Sequence, residues 1–182
     1  MTYIQHYNSP LGDILLSADD IGLTGLWLDS QKYFGGTLPQ ELTERVTPVL
    51  AEAKCWLDVY FSGREPDFTP PLHPTGSAFR HAVWDILLKI PYGQTTTYGE
   101  IARQLAGGGT MSAQAVGGAV GRNPISILIP CHRVIGADGS LTGYAGGIGR
   151  KRALLTLERE GVVNAAEAIP QAAQQRSRMR QP

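Results

Sequence analysis

The sequence has few of the features that mark secreted, membrane or metal-binding proteins. Its 182 residues contain two cysteines, Cys55 and Cys131, which form no disulfide framework and belong to no Cys/His spacing of the C-x-x-C type. No apolar stretch approaches the roughly 20 residues that a membrane span needs, and the first residues lack the pattern of a signal peptide. We therefore expect a cytoplasmic protein with no membrane partner, in which Cys55 is a partly buried, inert thiol.

Charge is also scarce, because Asp, Glu, Lys and Arg make up 18% of the chain and the net charge is zero. The charges are unevenly distributed. Residues 1–77 hold four Lys or Arg against ten Asp or Glu, residues 78–161 hold nine against five, and residues 162–182 hold three against one. This asymmetry is typical of a protein in which only the later part faces a polyanion.

The composition changes in residues 64–76, which contain four prolines and cannot form a regular helix. We interpret this segment as a linker. It predicts an N-terminal α/β domain over residues 1–76, including the linker, and a C-terminal domain over residues 77–161. Residues 162–182 show little apolar periodicity and are expected to be a disordered tail.

The N-terminal part has the pattern of a small antiparallel sheet with one helix. Residues 2–6, 14–18 and 25–29 are short, partly alternating runs separated by turn residues, which predicts a meander. A helical pattern then begins at Pro48 and stops at Gly63. This part carries no constellation of residues with obvious chemistry.

The C-terminal part predicts an apolar helix over residues 79–90 and then two short helices. Thr97 and Glu100 form a capping box at the start of the first short helix, and residues 112–121 form the second after a glycine-rich turn. This arrangement favours a helix-turn-helix, although ordinary helix pairs share the pattern. The glycines at positions 117–118 each cost about 1 kcal/mol relative to Ala, which either a nearby ligand or tight helix packing would explain.

The stretch from residue 125 to residue 134 organises the chain. Its apolar first half lies between Pro124 and Pro130 and predicts a short buried strand or extended segment. Such a segment would hold Cys131 rigidly, with His132 beside it. A thiol attacks as the thiolate, and an imidazole can take its proton. A buried structural cysteine beside a satisfied histidine remains the alternative.

The sequence is compatible with one site at which Cys131, Tyr98, the glycine-rich loop at 142–147 and the helix at 112–121 converge. It would combine a nucleophilic thiol, a phenolic proton donor, exposed backbone groups and a helix that fits a nucleic-acid groove. These groups suit the removal of an alkyl group from an oxygen of a nucleobase. Because that oxygen is inaccessible within a duplex, the nucleotide would have to be flipped out.

The motif around Cys131 resembles that of the O6-alkylguanine-DNA alkyltransferases, a family of direct-reversal DNA repair proteins. The match consists of Gly121-Arg122-Asn123-Pro124, Pro130-Cys131-His132-Arg133-Val134 and Gly143-Tyr144-Ala145-Gly146-Gly147. It spans roughly residues 79–161. The resemblance implies an irreversible, single-turnover transfer of the alkyl group from O6-alkylguanine or O4-alkylthymine in DNA to a cysteine.

The fold implied by the resemblance is α+β. The N-terminal domain would be ribonuclease-H-like, with a small antiparallel sheet and a helix. The C-terminal domain would be mostly helical and of the winged-helix or helix-turn-helix type. The expected partner is double-stranded DNA that carries alkylated bases, bound through its minor groove by a monomer, with cooperative binding along DNA left open. No metal or cofactor is implied.

The resemblance also implies roles for single residues. Cys131 matches the alkyl acceptor, and His132 and Glu158 match the pair that activates it through a water molecule. Asn123 matches the residue that braces the turn around the cysteine, and Tyr98 matches the tyrosine at the base oxygen. The further DNA- and base-binding positions are Ser112, Ala113, Gln114, Arg122, Val134, Tyr144 and Ala145.

Gln114 departs from the family pattern, in which an arginine usually enters the duplex and fills the space of the flipped base. Glutamine can insert and form hydrogen bonds, but it lacks the charge and the planar guanidinium group. We therefore expect that flipping is retained with weaker DNA affinity or an altered lesion preference.

Two other functions are compatible with parts of the pattern. A damage-recognition protein would bind alkylated DNA with weak or no transfer, but the non-repairing relatives of the family lack the cysteine that this chain has as Cys131. A cysteine hydrolase that uses Cys131 and His132 would need an oxyanion hole and would return to its starting mass after each cycle.

Overall fold

A four-stranded sheet forms the N-terminal part of the protein, of which the computed structural model describes residues 1–168. Strands β1 (Tyr3–Ser9), β2 (Gly12–Ala18) and β3 (Leu23–Leu28) pair antiparallel as neighbours in sequence. The strand order is β3-β2-β1-β4, and β4 (Thr43–Glu44) pairs parallel with β1. The predicted meander is therefore confirmed, whereas the two-residue β4 was not predicted.

One helix of the N-terminal part packs on this sheet. Helix α1 (Pro48–Phe61) begins after Thr47, whose hydroxyl accepts a hydrogen bond from the amide of Leu50 at 3.3 Å. Its apolar face contributes Trp56 and Tyr60 to the core. The sequence pattern correctly predicted this helix, because a proline at the first helical position and a 3.6-residue apolar period coincide.

The C-terminal part is mostly helical, with one small pair of strands. Each of the first three helices begins after a Ser or Thr whose hydroxyl accepts a hydrogen bond from a backbone amide, a common N-cap. The helices are α2 (Ala78–Leu87), α3 (Tyr98–Ala106), α4 (Ala113–Gly121), α5 (Ile148–Glu160) and α6 (Ala165–Ala168). Strands β5 (Thr96–Thr97) and β6 (Val134–Ile135) pair in parallel.

The capping box predicted at α3 is half formed. The hydroxyl of Thr97 accepts a hydrogen bond from the amide of Glu100 at 3.1 Å. The carboxylate of Glu100 does not reach back, however, since it pairs with Arg103 and accepts a hydrogen bond from Gln104 at 3.3 Å. Competing partners one turn along the helix explain the difference.

The short strand or extended segment predicted over residues 125–129 is wrong. Ile125 makes a single bridge to Leu26 of β3, and the chain then turns, with the amide of Ile129 donating to the carbonyl of Ile125 at 3.1 Å. Ile127 has a φ of 71°, a left-handed conformation that no strand contains. The segment is buried as predicted, but as a turn, because the side chain of Asn123 bonds at both ends of it.

Buried polar contacts connect the helices with each other and with the sheet. Arg150 of α5 donates to the carbonyl oxygens of Leu11 at 3.0 Å and Asp29 at 2.6 Å, and it also pairs with the carboxylate of Asp29. The indole nitrogen of Trp84 in α2 donates to the carbonyl of Ala119 in α4 at 3.0 Å. One hydrophobic core runs through both parts, so the segment around residue 131 is held between them.

The chain after α5 was expected to be disordered over residues 162–182. Residues Ala165–Ala168 instead form the short helix α6, and Ala168 is buried. The remainder of that expectation, residues 169–182, lies outside the described residues. Within residues 1–168, no helix is long and apolar enough to cross a membrane.

Candidate active site

Cys131 begins a single 3-10 turn, Cys131–Arg133, that follows the buried turn. Its amide donates to the carbonyl of Ile129 at 2.8 Å. Asn123 fixes the same region, because its side-chain nitrogen donates to the carbonyl of Ile129 at 2.8 Å and its oxygen accepts from the amide of Ile125 at 2.9 Å. Backbone hydrogen bonds and one amide side chain thus hold the thiol at a fixed place.

A cavity of about 780 Å³ opens over the thiol of Cys131. The structure brings many of the predicted residues to it from distant parts of the chain. Those that line it are Tyr98, Ala113, Gln114, Arg122, Cys131, Tyr144 and Ala145. The predicted site residues that do not line it are Ser112, Asn123, His132, Val134 and Glu158. The hydroxyl of Ser112 instead caps α4 by accepting from the amides of Gln114 at 3.2 Å and Ala115 at 3.4 Å.

His132 and Glu158 form a buried pair behind the cavity wall. The Nε2 atom of His132 lies 2.6 Å from Oε1 of Glu158, and both side chains are fully buried. An ionised carboxylate only accepts hydrogen bonds, so Nε2 carries the proton and Nδ1 has a free lone pair. Nδ1 has no hydrogen-bond partner among the described residues. The imidazole is therefore arranged to accept a proton.

The Glu158 carboxylate is saturated with donors. Arg133 donates to it through Nε at 2.9 Å and Nη2 at 3.0 Å, and the amide of Gly93 donates at 3.2 Å. Tyr60, from the N-terminal helix α1, donates its hydroxyl to Oε1 at 2.8 Å. Burial raises the pKa of Glu158, but His132 and Arg133 outweigh it and hold that pKa below its usual range.

Burial dominates the titration of the groups closest to the reaction centre. Burial raises the pKa of the Cys131 thiol, and a hydrogen bond from Asn123 and the charge of Lys151 oppose it. Burial lowers the pKa of His132, and Glu158 opposes that shift. The pKa of Tyr98 is raised by burial and by the charge of a thiolate at Cys131. At neutral pH these shifts favour a neutral thiol, a neutral imidazole and a protonated phenol.

Tyr98 and Tyr144 both line the cavity, and their hydroxyl groups differ in their hydrogen bonds. The hydroxyl of Tyr98 donates to the carbonyl of Thr142 at 2.9 Å, which ties α3 to the glycine-rich loop. The hydroxyl of Tyr144 is buried and has no hydrogen-bond partner among the described residues. A buried hydroxyl in a cavity wall is a natural partner for a polar ligand atom.

Lys151 was not predicted to be a site residue. Its ammonium group is buried and donates to the carbonyl oxygens of Val134, Thr142 and Gly143. The carbonyl of Val134, one of the expected base-binding residues, therefore has one lone pair already in use. No local pattern distinguishes Lys151 from the exposed basic residues of the same helix, so its burial at the site could not be predicted.

The cavity also has a wall from the N-terminal part that was not predicted. Lys32 and Tyr33 line it, in the loop that follows β3. The amide of Lys32 donates to the carbonyl of Ala145 at 2.8 Å. The guanidinium of Arg122 lies 3.9 Å from the ring centroid of Tyr33, a cation–π contact. The N-terminal part therefore contributes directly to the site.

Gly117 and Gly118 of α4 lie on the face of the helix that is open to the cavity. A Cβ atom at Gly118 would meet nothing within 4 Å, and one at Gly117 would only touch the ring of Tyr98 at 3.8 Å. Both residues line the cavity. Tight helix packing therefore does not explain them, and the other interpretation, a close approach of a ligand to the helix, remains.

Comparison with known proteins decides the family. A model described as 6-O-methylguanine DNA methyltransferase, ribonuclease-like domain, matches residues 2–74, and one described as 6-O-methylguanine DNA methyltransferase, DNA binding domain, matches residues 78–160. The chain belongs to the 6-O-methylguanine DNA methyltransferase family. The family resemblance noted from the Cys131 motif is thereby confirmed.

Curated relatives in this family carry the name methylated-DNA–protein-cysteine methyltransferase. The protein of Mycobacterium leprae is 43% identical, and the match covers 90% of this chain and 96% of that protein. The protein of Haemophilus influenzae is 40% identical, with 86% of each chain covered. Both relatives match along nearly their whole length, so they share more with this chain than the Cys131 motif alone.

Solved structures of the family share the fold. The Mycobacterium tuberculosis OGT in complex with DNA has a TM-score of 0.81 and 42% identity, with 91% of this chain and 98% of that chain covered. A Methanococcus jannaschii O6-methylguanine DNA methyltransferase has a TM-score of 0.62 and 30% identity, with 88% and 95% covered. The α+β fold expected for this methyltransferase family is confirmed. Within residues 1–168, no group of three or more His, Cys, Asp or Glu residues could hold a metal ion.

Proposed function

We propose that this methyltransferase repairs double-stranded DNA by moving the alkyl group of O6-alkylguanine, and of O4-alkylthymine, onto Cys131. The observation that carries the proposal is the position of Cys131 in the wall of the 780 Å³ cavity, with Tyr98 and Gln114 in the same wall and the His132–Glu158 pair behind it. DNA repair by alkyl transfer to a cysteine agrees with the family and with the names of the relatives.

The reaction begins with loss of the thiol proton. His132 accepts it at Nδ1, through a bridging water, while the hydrogen bond of its Nε2–H to Glu158 fixes the tautomer. The thiolate attacks the alkyl carbon, a C–S bond forms, and the bond from that carbon to the base oxygen breaks. Tyr98 donates a proton to the departing base, and the proton held by His132 replaces it on the phenol. The products are a thioether and an unmodified base.

A thioether is not hydrolysed at neutral pH, so each protein molecule acts once. This property separates the proposal from a cysteine hydrolase, which regenerates its thiol. It also fits the position of Cys131 at the end of a buried turn, where only a substrate that enters the cavity reaches the sulfur.

The DNA would be bound through its minor groove by α4. Ser112, Ala113 and Gln114 stand at the N-terminal end of this helix, and the face with Gly117 and Gly118 is open toward the cavity. A flipped nucleotide would enter the cavity while Gln114 fills the space that it leaves. The protein would bind as a monomer, with cooperative binding along DNA left open, and would work in the cytoplasm. Both cysteines are free thiols, and Cys55 is exposed, not partly buried as expected.

The proposal is tested by incubating the protein with a duplex that carries one O6-methylguanine and analysing both partners. The expected result is an unmodified guanine in the DNA and a protein heavier by one methylene group. A damage-recognition protein would bind the duplex and leave both masses unchanged, and a hydrolase would change the DNA alone. Either result would overturn the proposal.

A further inference from the structure

Tyr60 is a fully buried tyrosine of the N-terminal part whose hydroxyl reaches the His132–Glu158 pair. The hydroxyl donates to Oε1 of Glu158 at 2.8 Å and lies 3.4 Å from Nε2 of His132. Tyr60 is separated from Glu158 by 98 residues in sequence. The contact is therefore made by the tertiary fold and not by a local motif.

The ring of Tyr60 is held so that the hydroxyl has little freedom to turn away. It stacks on Trp56 at a centroid distance of 5.0 Å and an interplanar angle of 11°, and it makes edge contacts with Phe61 at 5.4 Å and Tyr92 at 6.2 Å. Burial, and next the charge of Glu158, raise the pKa of Tyr60 well above its usual value. The hydroxyl thus keeps its proton and remains a donor.

The oxygen that Tyr60 bonds is the same one that His132 bonds. Oε1 of Glu158 accepts from Tyr60, from Nε2 of His132 at 2.6 Å and from Nη2 of Arg133 at 3.0 Å. The Tyr60 hydroxyl is a donor to this oxygen in addition to His132 and Arg133, so it withdraws negative charge from the oxygen and restrains its position. Both effects act on the imidazole, because its basicity and its orientation depend on this hydrogen bond.

We propose that Tyr60 is a positioning residue of the alkyl transfer, which sets the basicity and orientation of His132 by sharing Oε1 of Glu158. The inference rests on the proposed function, since it concerns the group that accepts the thiol proton. The N-terminal part would then have a role in the reaction in addition to lining the cavity with Lys32 and Tyr33.

Other titratable and charged groups lie around the pair, and Tyr60→Phe alters none of them. Arg133 and Tyr92 lie on the Glu158 side, and burial together with the Glu158 charge raises the pKa of Tyr92. The positive charges of Arg133 and Lys151 act to lower the pKa of His132. Burial raises the pKa of Tyr144 well above its usual value, and the charges of Cys131 and Glu158 add to that rise. Tyr60 differs from these groups because its hydroxyl donates to Glu158 and can be removed without altering a charge.

The test compares Tyr60→Phe with Tyr92→Phe. Tyr92 makes a matched control because it is a neighbouring tyrosine in edge contact with Tyr60, and its buried hydroxyl has no hydrogen-bond partner among the described residues. The single-turnover rate of transfer from a saturating O6-methylguanine duplex is measured between about pH 4 and pH 8, a range that extends well below the ordinary histidine pKa because burial lowers the pKa of His132. Thermal unfolding of each variant checks that it is folded.

Loss of the Tyr60 hydroxyl should leave more negative charge on Glu158 and raise the pKa of His132. Protonated His132 cannot accept the thiol proton, so the acid limb of the rate profile should move to higher pH by about half to one unit. Tyr92→Phe should keep the wild-type midpoint. An unmoved midpoint in Tyr60→Phe, or an equal shift in both variants, overturns the inference.

A second measurement does not depend on activity. Nitrogen NMR of the His132 ring should show a protonated Nε2 and an unprotonated Nδ1 in the wild type, and a higher pKa in Tyr60→Phe. The opposite tautomer, or an unchanged pKa, also overturns the inference. If the wild type forms no protein adduct while the NMR result holds, then the proposed function fails and the Tyr60 contact stands as a feature of the His132–Glu158 pair alone.

Discussion

The Nζ atom of Lys151 lies 2.5 Å from the carbonyl oxygen of Val134. The same ammonium donates to the carbonyls of Thr142 at 3.3 Å and Gly143 at 3.2 Å. One buried cation thus connects the strand that follows the Cys131 turn with the glycine-rich loop across the cavity. Burial raises the pKa of Cys131 and the Lys151 charge opposes that rise, so the loop and the nucleophile depend on one side chain.

We predict that Lys151→Met slows alkyl transfer by about tenfold or more at pH 7. Three carbonyl oxygens, of which that of Val134 is buried, lose a donor. The pKa of Cys131 also rises because an opposing positive charge is gone, and each unit of that rise lowers the thiolate fraction about tenfold. The deficit should become smaller at higher pH, where the thiol ionises more readily. Single-turnover rates as a function of pH measure both effects.

Arg152→Met is the matched control for Lys151→Met, because it removes one positive charge from the next, exposed position of α5. It should leave the rate and its pH dependence close to those of the wild type. Equal effects of the two substitutions would show that net charge, and not the position of the Lys151 ammonium, is responsible.

Glu158→Gln should lower both stability and activity. The pKa of Glu158 is held low in the folded protein, so its ionised form stabilises the fold above the unfolded-state pKa of about 4.3. That stabilisation is lost as the pH falls from this value toward the folded-state pKa. We expect a loss of about 3 kcal/mol in the free energy of unfolding at pH 7, and a smaller difference from the wild type at low pH.

Urea unfolding at several pH values checks the Glu158→Gln prediction. The control is Glu160→Gln, which alters an exposed carboxylate two positions along the same helix and should change stability by less than about 0.5 kcal/mol. A Glu158→Gln protein with wild-type stability at pH 7 would contradict the proposed role of the buried carboxylate.

Gln114→Arg should strengthen DNA binding. An arginine at this exposed position at the start of α4 adds a charge and a planar group where the cavity opens. We expect tighter binding and a salt dependence that is steeper by about one unit of the log–log slope, if the guanidinium contacts a phosphate. Fluorescence anisotropy over a range of salt concentrations measures both.

The control for Gln114→Arg is Gln40→Arg, which makes the same charge change at an exposed position of the N-terminal part, away from the residues that line the cavity. It should change affinity less. If Gln114→Arg leaves both the affinity and the repair rate at the wild-type values, the departure from the usual arginine has no consequence for this protein.

Tyr33→Ala should favour transfer of larger alkyl groups. Tyr33 lines the cavity, and the guanidinium of Arg122 lies over its ring. Removal of the ring widens the cavity. It also releases the Arg122 side chain from a cation–π contact of about 1 kcal/mol. The rate with O6-benzylguanine DNA, relative to that with O6-methylguanine DNA, should rise severalfold. Phe34→Ala, which removes an aromatic that packs near Trp27 and does not line the cavity, should leave this ratio unchanged.

Local signals in the sequence predicted helices α1 to α4 and the meander. Thr97 and Ser112 cap α3 and α4 as their residue types suggest, and Pro48 begins α1. The buried turn before Cys131 was predicted to be a short strand or extended segment. An apolar run between prolines does not show that the side chain of Asn123 replaces the hydrogen bonds of a neighbouring strand.

The missed site residues share one property, which is that long-range packing creates their contacts. Tyr60 reaches Glu158 from α1, and Tyr33 reaches Arg122 from the loop after β3. Lys151 has a basic side chain whose burial depends on where α5 packs. None of these contacts follows from composition or periodicity, because those describe a residue's own element and not what packs on it.

The central claim is that Cys131 keeps the alkyl group that it removes. Titrating the protein with an excess of O6-methylguanine duplex, followed by intact-mass measurement and peptide mapping, tests it most directly. The account predicts a plateau at one added methylene group per protein molecule, located on Cys131, unchanged in Cys55→Ala and absent in Cys131→Ser. Repair that continues beyond one equivalent, an adduct on Cys55, or no adduct at all would contradict it.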